Sequence, residues 1–468
     1  MKLRLPLALL VPVLVALAIS CSNSSPAPTP TVAAIQTQPT LSAIGAATSS
    51  SGPSSAPTLA SPAATVVASP SSSGASGTPT APSAATRPTA VITSPAAPSP
   101  APSRPTSAPR TTTAPAETPL PPAGEVARMK SPEAGVQLFM WGNPAIGRDL
   151  ELAKAAGFTW IKQMFQWNYI ERDGKGKFLW DEPDRLVRAA NNYGLKIVAR
   201  VDYSPEWAMA PGASGNAPPA NYADFGDFIY ALVSRYKTGS PYGQIGAYEI
   251  WNEPNLAREW GGKTPNAAEY VQLLKAAYTA AKRADPKAVV ISAGLSPTGT
   301  VSPEARPDDT YLAEMYQAGA KDYFDVLGAH AAGYKAPPEM SPDEVAANKE
   351  YGGERFFCFR RVEDLRQIMV KNGDQRKQVA VLEMGWTTDD RPGSPYAWHA
   401  VTEQQKGDYI VRAYQYAQKN WSDWIGLMST IYIADPRWTP NDEQYYWAIT
   451  DPNGTPRASY SYIKGKLP

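Results

Sequence analysis

The sequence predicts a closed (β/α)₈ barrel, carried behind an export segment and a long linker, and three observations predict it. About 340 residues at the C-terminal end repeat one theme: a short apolar run rich in β-branched and aromatic residues, then an amphipathic helical pattern. The alternation runs eight times, which is the count of a closed barrel. No G-x-G-x-x-G follows the first strand and no phosphate-cradling glycine run opens the first loop, so a doubly wound open sheet fits less well.

The chain opens with Lys2 and Arg4, followed by an apolar run over 5–19. That run is shorter than the roughly 20 residues a membrane-spanning helix needs, so residues 1–21 read as an export signal. The stretch Ala18-Ile19-Ser20-Cys21 resembles a bacterial lipobox, in which the cysteine is lipidated and becomes the first residue. Ala18 stands where leucine is usual, and ordinary secretion with cleavage near Ser20 is the alternative. Either route places the mature protein outside the membrane, extracellular or at the cell surface, with Cys21 as its lipid anchor in the first case. Residues 22–125 are almost wholly Ser, Thr, Pro, Ala and Gly, with Glu117 as the single acid before Ala123. A segment of this kind buries too little apolar surface to offset its chain entropy, and its prolines favour extended stretches; a disordered tether is expected.

Residues 126–468 carry the barrel. Strands are expected at 137–141, 159–165, 196–201, 246–251, 289–293, 324–329, 378–383 and 425–431. Helices are expected at 149–156, 184–193, 267–283, 310–318, 361–371, 403–419 and 458–464. The clearest helical face is Phe225, Phe228, Ile229, Leu232, Val233 and Tyr236, spaced to line one side. Gly157, Gly194, Gly373 and Asn420 mark helix ends. A net charge of +1 argues against nucleic acid as a partner. Cys358, the only cysteine besides Cys21, sits between phenylalanines and reads as a packing residue. No H-E-x-x-H and no Cys/His cluster suggests a metal, and both histidines are isolated.

In a barrel of this kind, function sits at the C-terminal ends of the strands. The fourth strand ends in Glu249-Ile250-Trp251-Asn252-Glu253-Pro254-Asn255, the seventh in Val381-Leu382-Glu383-Met384-Gly385-Trp386. Strands four and seven stand on roughly opposite sides of an eight-membered ring, so each delivers one carboxylate to a shared mouth. Two facing carboxylates are what glycoside hydrolysis needs: one protonates the departing oxygen, the other attacks or activates water.

These motifs resemble clan A of the glycoside hydrolases, the retaining barrels with glutamates on strands four and seven. Asp202-Tyr203-Ser204-Pro205-Glu206-Trp207-Ala208, Tyr248 to Asn255, the run from 276–286 into 289–295, and Leu382 to Trp386 resemble the family 39-related bacterial enzymes. The likeness extends over 135–465 and, more broadly, to the cellulase superfamily with family 5. It implies a monomeric enzyme that cleaves β-glycosidic bonds in a poly- or oligosaccharide without a cofactor. By that resemblance Glu253 is the acid/base, Glu383 the nucleophile, and Asn252 the partner of the sugar 2-hydroxyl. Glu253 must then hold a proton at working pH while Glu383 stays ionised.

The clan usually places an arginine near the end of strand two, where this chain has Lys162; Lys162 or Arg200 on the next strand is expected to serve Glu383 instead. His330 ends strand six and is expected to contact the nucleophile or the sugar, with a structural ring as the equal alternative. Tyr334 is expected to orient Glu383, and Trp438 to form a platform under the sugar. Glu249 points into the barrel and is expected to pair with Lys162 or Arg200. The rival to an enzyme is a catalytically inactive carbohydrate-binding surface lipoprotein on the same barrel. A serine hydrolase is disfavoured by the lack of G-x-S-x-G. The long segments 336–359 and 391–401 decide whether the cleft is closed, favouring exo action, or open, favouring endo action.

Overall fold

The first strand is not where its apolar content suggested. β1 is Glu133–Gln137, a run with a charge, a glycine and an amide, and it was therefore invisible to a search for buried apolar strands. A Cβ at Gly135 would stand 3.2 Å from the Leu427 side chain, a tight contact. Leu138, Phe139 and Met140, which looked like the strand, are buried in the loop that leaves it. Phe139 packs there on Tyr432 and Trp438, at ring-centroid distances of 5.4 and 4.7 Å.

These assignments come from a computed structural model that describes residues 128–468; the expected export signal, Cys21 and the tether at 22–125 lie outside the described residues. The remaining strands are β2 (Trp160–Met164), β3 (Lys196–Val201), β4 (Ala247–Ile250), β5 (Val290–Ser292), β6 (Val326–His330), β7 (Gln378–Met384) and β8 (Ile425–Thr430). All pair in parallel with their neighbours in chain order, and β8 closes on β1 with Glu133 opposite Leu427 and Val136 opposite Thr430. The result is the (β/α)₈ barrel that the alternation predicted.

The main helices follow the expected periods with small shifts of their ends: Ile146–Ala156, Asp181–Asn192, Tyr222–Tyr236, Ala267–Ala284, Asp308–Gln317, Arg361–Lys371, Glu403–Asn420 and Ala458–Ile463. Local chemistry explains several of these boundaries. The Asn266 side chain accepts from the amides of Ala268 and Glu269, and Thr402 and Gln405 form a reciprocal capping box. Gly157 ends its helix at φ +103°, where a side chain would be strained.

Alternation along the strands sorts the barrel into an apolar floor and an ionic upper layer. Trp160, Val198, Ala247, Ile291, Val326, Ala380, Leu382 and Leu427 form one cluster inside the barrel, with Met129 against it. Their neighbours Ile161, Ala199, Tyr248, Leu327, Val381 and Met428 pack outward in the core shared with the helices. Two residues further along, the inward positions are Lys162, Arg200 and Glu249, and His330 stands four beyond Val326, all buried.

β7 departs from this alternation where the site is built. Ala329 stands opposite Val381, but His330 stands opposite Glu383, so one residue of β7 is extra. A bulge of this kind re-aims side chains. Strict alternation would send Glu383 outward with Val379 and Val381; the shift turns it inward, level with His330.

Candidate active site

Glu253 and Glu383 both reach the barrel mouth, and neither has any solvent exposure. One imidazole lies between them: His330 Nδ1 is 2.9 Å from Glu253 Oε1 and 3.8 Å from Glu383 Oε2. The ring fits only because residue 294 is glycine, since a Cβ there would overlap the His330 imidazole. Glu253 follows β4 in a strained turn, with Trp251 at φ +72° and Glu253 at φ +39°. Its amide donates to Gly294 O at 3.1 Å, and the Trp251 indole donates to Glu259 O at 2.7 Å, so the turn is held from two sides. The other non-glycine residues with positive φ among those described are Tyr203, after β3, and Tyr334, after β6. All four stand at strand C-terminal ends, where strain is commonly kept for function.

Lys162 and Arg200 both face Glu383, at unequal range. Lys162 Nζ donates to Glu383 Oε1 at 3.0 Å and lies 3.2 Å from Glu249 Oε2, so it bridges two buried carboxylates. Arg200 Nη1 is 3.9 Å from Glu383 Oε1, and its Nε lies 2.9 Å from Asp202 Oδ2 in an ion pair that does not align as a hydrogen bond. Burial pushes the Glu383 carboxyl up, but Lys162, His330 and Arg200 together outweigh it and hold the group well below the usual carboxylate range. Asp202 goes the other way: burial, with Glu259 and Glu249 adding to it, raises its carboxyl to about 7 against the pull of Arg200.

Asn252 is buried beside Glu253. Tyr334 does not reach Glu383 by any hydrogen bond; its hydroxyl donates to Pro297 O at 3.4 Å, and its ring packs on Phe357, Trp398 and His399. Trp438 is 4 % exposed and lies edge-on to Phe139 and Tyr432, a packed position rather than an open platform. Both belong to a second apolar cluster that also holds Phe356, Cys358, Tyr396 and Trp447, roofing the β6–β8 side of the mouth. The segments 336–359 and 391–401 contribute to that roof, and Cys358 is buried in it as expected.

Four participants escaped the sequence reading. Asp202 and Glu259 are buried acids near the arginines, and the buried Tyr432 follows β8 with its hydroxyl forced toward neutrality by burial and by Glu383, Glu443 and Glu253. Arg258 is the fourth: its Nη2 donates to Glu253 Oε2 at 2.7 Å. Asp202 stands inside a quoted motif and was legible; the rest declare themselves only through neighbours distant in sequence.

No protein-family model matches the chain. A β-xylosidase of Geobacillus stearothermophilus is 30% identical over 128 residues, covering 25% of this chain and 25% of the relative. A β-xylosidase of Caldicellulosiruptor saccharolyticus is 23% identical over 251 residues, 51% of this chain and 46% of the relative. The chain thus spans less than half the length of either curated relative. Among solved structures, a family 39 glycoside hydrolase from Bacteroides cellulosilyticus WH2 superposes with a TM-score of 0.52 at 18% identity, over 72% of this chain and 64% of that one. A monomeric β-xylosidase from Caulobacter crescentus CB15 gives 0.50 at 18%, over 72% and 69%. At such identities the structural likeness establishes the barrel. One of these structures is a family 39 glycoside hydrolase, the family that the motifs resemble.

Proposed function

We propose that this chain is a retaining β-glycosidase of oligo- or polysaccharides, acting outside the membrane, with Glu253 as acid/base and Glu383 as nucleophile. The observation that carries the reading is the pair of buried carboxylates, one just after β4 and one on β7, sharing one imidazole. Contacts of 2.9 and 3.8 Å to the same nitrogen keep those two oxygens within about 6.7 Å of each other. That accommodates the roughly 5–5.5 Å separation of retaining enzymes and leaves little room for a water between the carboxylates.

The environments support the division of labour. Glu383, kept ionised by Lys162, His330 and Arg200, is suited to attack the anomeric carbon. Glu253 protonates the departing oxygen, then removes a proton from the water that hydrolyses the glycosyl-enzyme. Asn252, next to Glu253 in the chain, takes the sugar 2-hydroxyl. The relatives' printed activity makes β-xylosides the first substrates to try. Full burial of both carboxylates under the β6–β8 roof suits a closed pocket that takes chain ends, hence exo action. Lipidation at Cys21 would hold the enzyme, as a monomer, at the cell surface.

Hydrolysis of a panel of aryl β-glycosides and β-linked polysaccharides tests the proposal. Activity should appear in the wild type and fall about a hundredfold or more in Glu253→Gln with an unactivated leaving group, and in Glu383→Gln with any. A wild type that binds glycans across the panel yet turns none over would instead support the inactive surface lipoprotein.

A further inference from the structure

Among the described residues four side chains make ionic contacts to the two glutamates, and three of them are sealed. Lys162, Arg200 and His330 are buried at the barrel axis. Arg258 differs, with 34% of its side chain exposed while its Nη2 lies 2.7 Å from Glu253 Oε2. It comes from the short 3₁₀ turn Ala257–Glu259 that follows β4, and its Nε lies 3.5 Å from Glu259 Oε1. The second oxygen of Glu253, Oε1, is held from the barrel side by His330. Of the two partners of Glu253, the guanidinium on Oε2 is therefore the one that extends toward solvent.

A general acid delivers its proton to the departing oxygen, so the leaving group must lie against Glu253. The sugar that is transferred to the enzyme lies against Glu383. The group that departs must then occupy the solvent side of Glu253, beside Arg258. A guanidinium is a rigid fork of donors that matches carboxylate geometry and is always charged. Around it stand the carboxylates of Glu253 and Glu259 and the phenol of Tyr396, and of the four side chains in ionic contact with the two glutamates Arg258 is the one that reaches solvent.

Resting on the glycosidase reading above, we propose that Arg258 determines specificity on the leaving-group side, selecting departing units that carry a carboxylate, as a uronic acid does. On binding, the guanidinium moves from Glu253 Oε2 to the ligand carboxylate, releasing Glu253 to hold its proton against the departing oxygen.

The test uses two aryl β-glycosides of the sugar the wild type hydrolyses, one with a carboxyphenyl and one with a carbamoylphenyl leaving group, chosen for matched phenol acidity. Wild-type kcat/KM should favour the carboxylate about tenfold, the scale of one charge-assisted hydrogen bond, and the preference should shrink with added salt. Arg258→Gln should bring the ratio to about one, and Arg258→Lys should keep part of it by retaining the charge without the fork. The ratio cancels any common effect of the substitution on Glu253. Hydrolysis of both compounds without a carboxylate preference, or a preference that survives in Arg258→Gln, would overturn the assignment and leave the glycosidase intact. No turnover of any aryl glycoside would remove the glycosidase reading itself, and the Arg258 assignment with it.

Discussion

Replacing Lys162 with methionine removes the cation that bridges Glu383 and Glu249 while keeping most of the side chain's volume. The contacts are 3.0 and 3.2 Å and fully buried. At an effective dielectric of about 20, each is worth about 5 kcal/mol of attraction. Much of that is offset, because burying the ammonium was itself costly and Arg200 remains 3.9 Å from Glu383. What survives should raise the Glu383 pKa by about 1–3 units, the usual effect of one adjacent opposite charge. The sign follows from the ionised form being the active one. A depressed carboxylate works down to its folded pKa, so raising that pKa moves the acid limb of the kcat/KM profile to higher pH. Stability changes in the same sense. The depressed pKa contributes stability above the unfolded value of about 4.3 and loses it as pH falls through the folded one. Lys162→Met should therefore melt lower than wild type at pH 7, and the gap should narrow in acid. The assays are pH–rate profiles on an aryl β-glycoside and thermal unfolding across the same pH range, with Lys162→Arg expected to restore part of both. A folded Lys162→Met whose acid limb does not move would refute the argument that Lys162 sets the ionisation of Glu383.

Three further outcomes are expected. Gly294→Ala drives a methyl into the His330 ring, so activity should drop sharply while overpacking costs about 1–3 kcal/mol in denaturant unfolding; unchanged activity would show that His330 need not sit between the carboxylates. Trp438→Ala should cost about 3–5 kcal/mol of stability because the ring is buried against Phe139 and Tyr432, whereas a raised KM at unchanged stability would restore the platform role. Arg361→Met strands the buried Asp308, which the guanidinium meets through Nε and Nη2 at 3.1 and 2.8 Å, so destabilisation of about 3–5 kcal/mol with normal KM in the surviving protein is expected.

The barrel was legible because seven of its strands are apolar and regularly spaced between helices with marked ends. β1 was not, because Glu133, Gly135 and Gln137 give it no apolar run, while the loop that follows does have one. Glu249 and Lys162 obeyed the alternation that predicted their meeting. Glu383 broke it: only the extra residue in β7 turns its carboxylate inward, and no residue type announces a bulge. Its place was read from a motif, not from parity. The packing of Trp438 and Tyr334 was not legible for a different reason. An aromatic residue in a loop after a strand looks the same whether it faces sugar or packs under a roof, and the second apolar cluster around both residues draws on segments as far apart in sequence as Phe139 and Ala448. Arg258 follows Glu253 by five residues, yet its guanidinium returns to the carboxylate only because of the turn after β4.

The central claim is that Glu383 attacks carbon and Glu253 moves the proton. A 2-deoxy-2-fluoro-β-glycosyl fluoride of the sugar the protein hydrolyses slows release of a glycosyl-enzyme, so the adduct can be located by mass spectrometry of the digested chain. The label should sit on the peptide containing Glu383, and Glu253→Gln should still form it. A label on another residue, or hydrolysis with inversion and no adduct, would contradict the account.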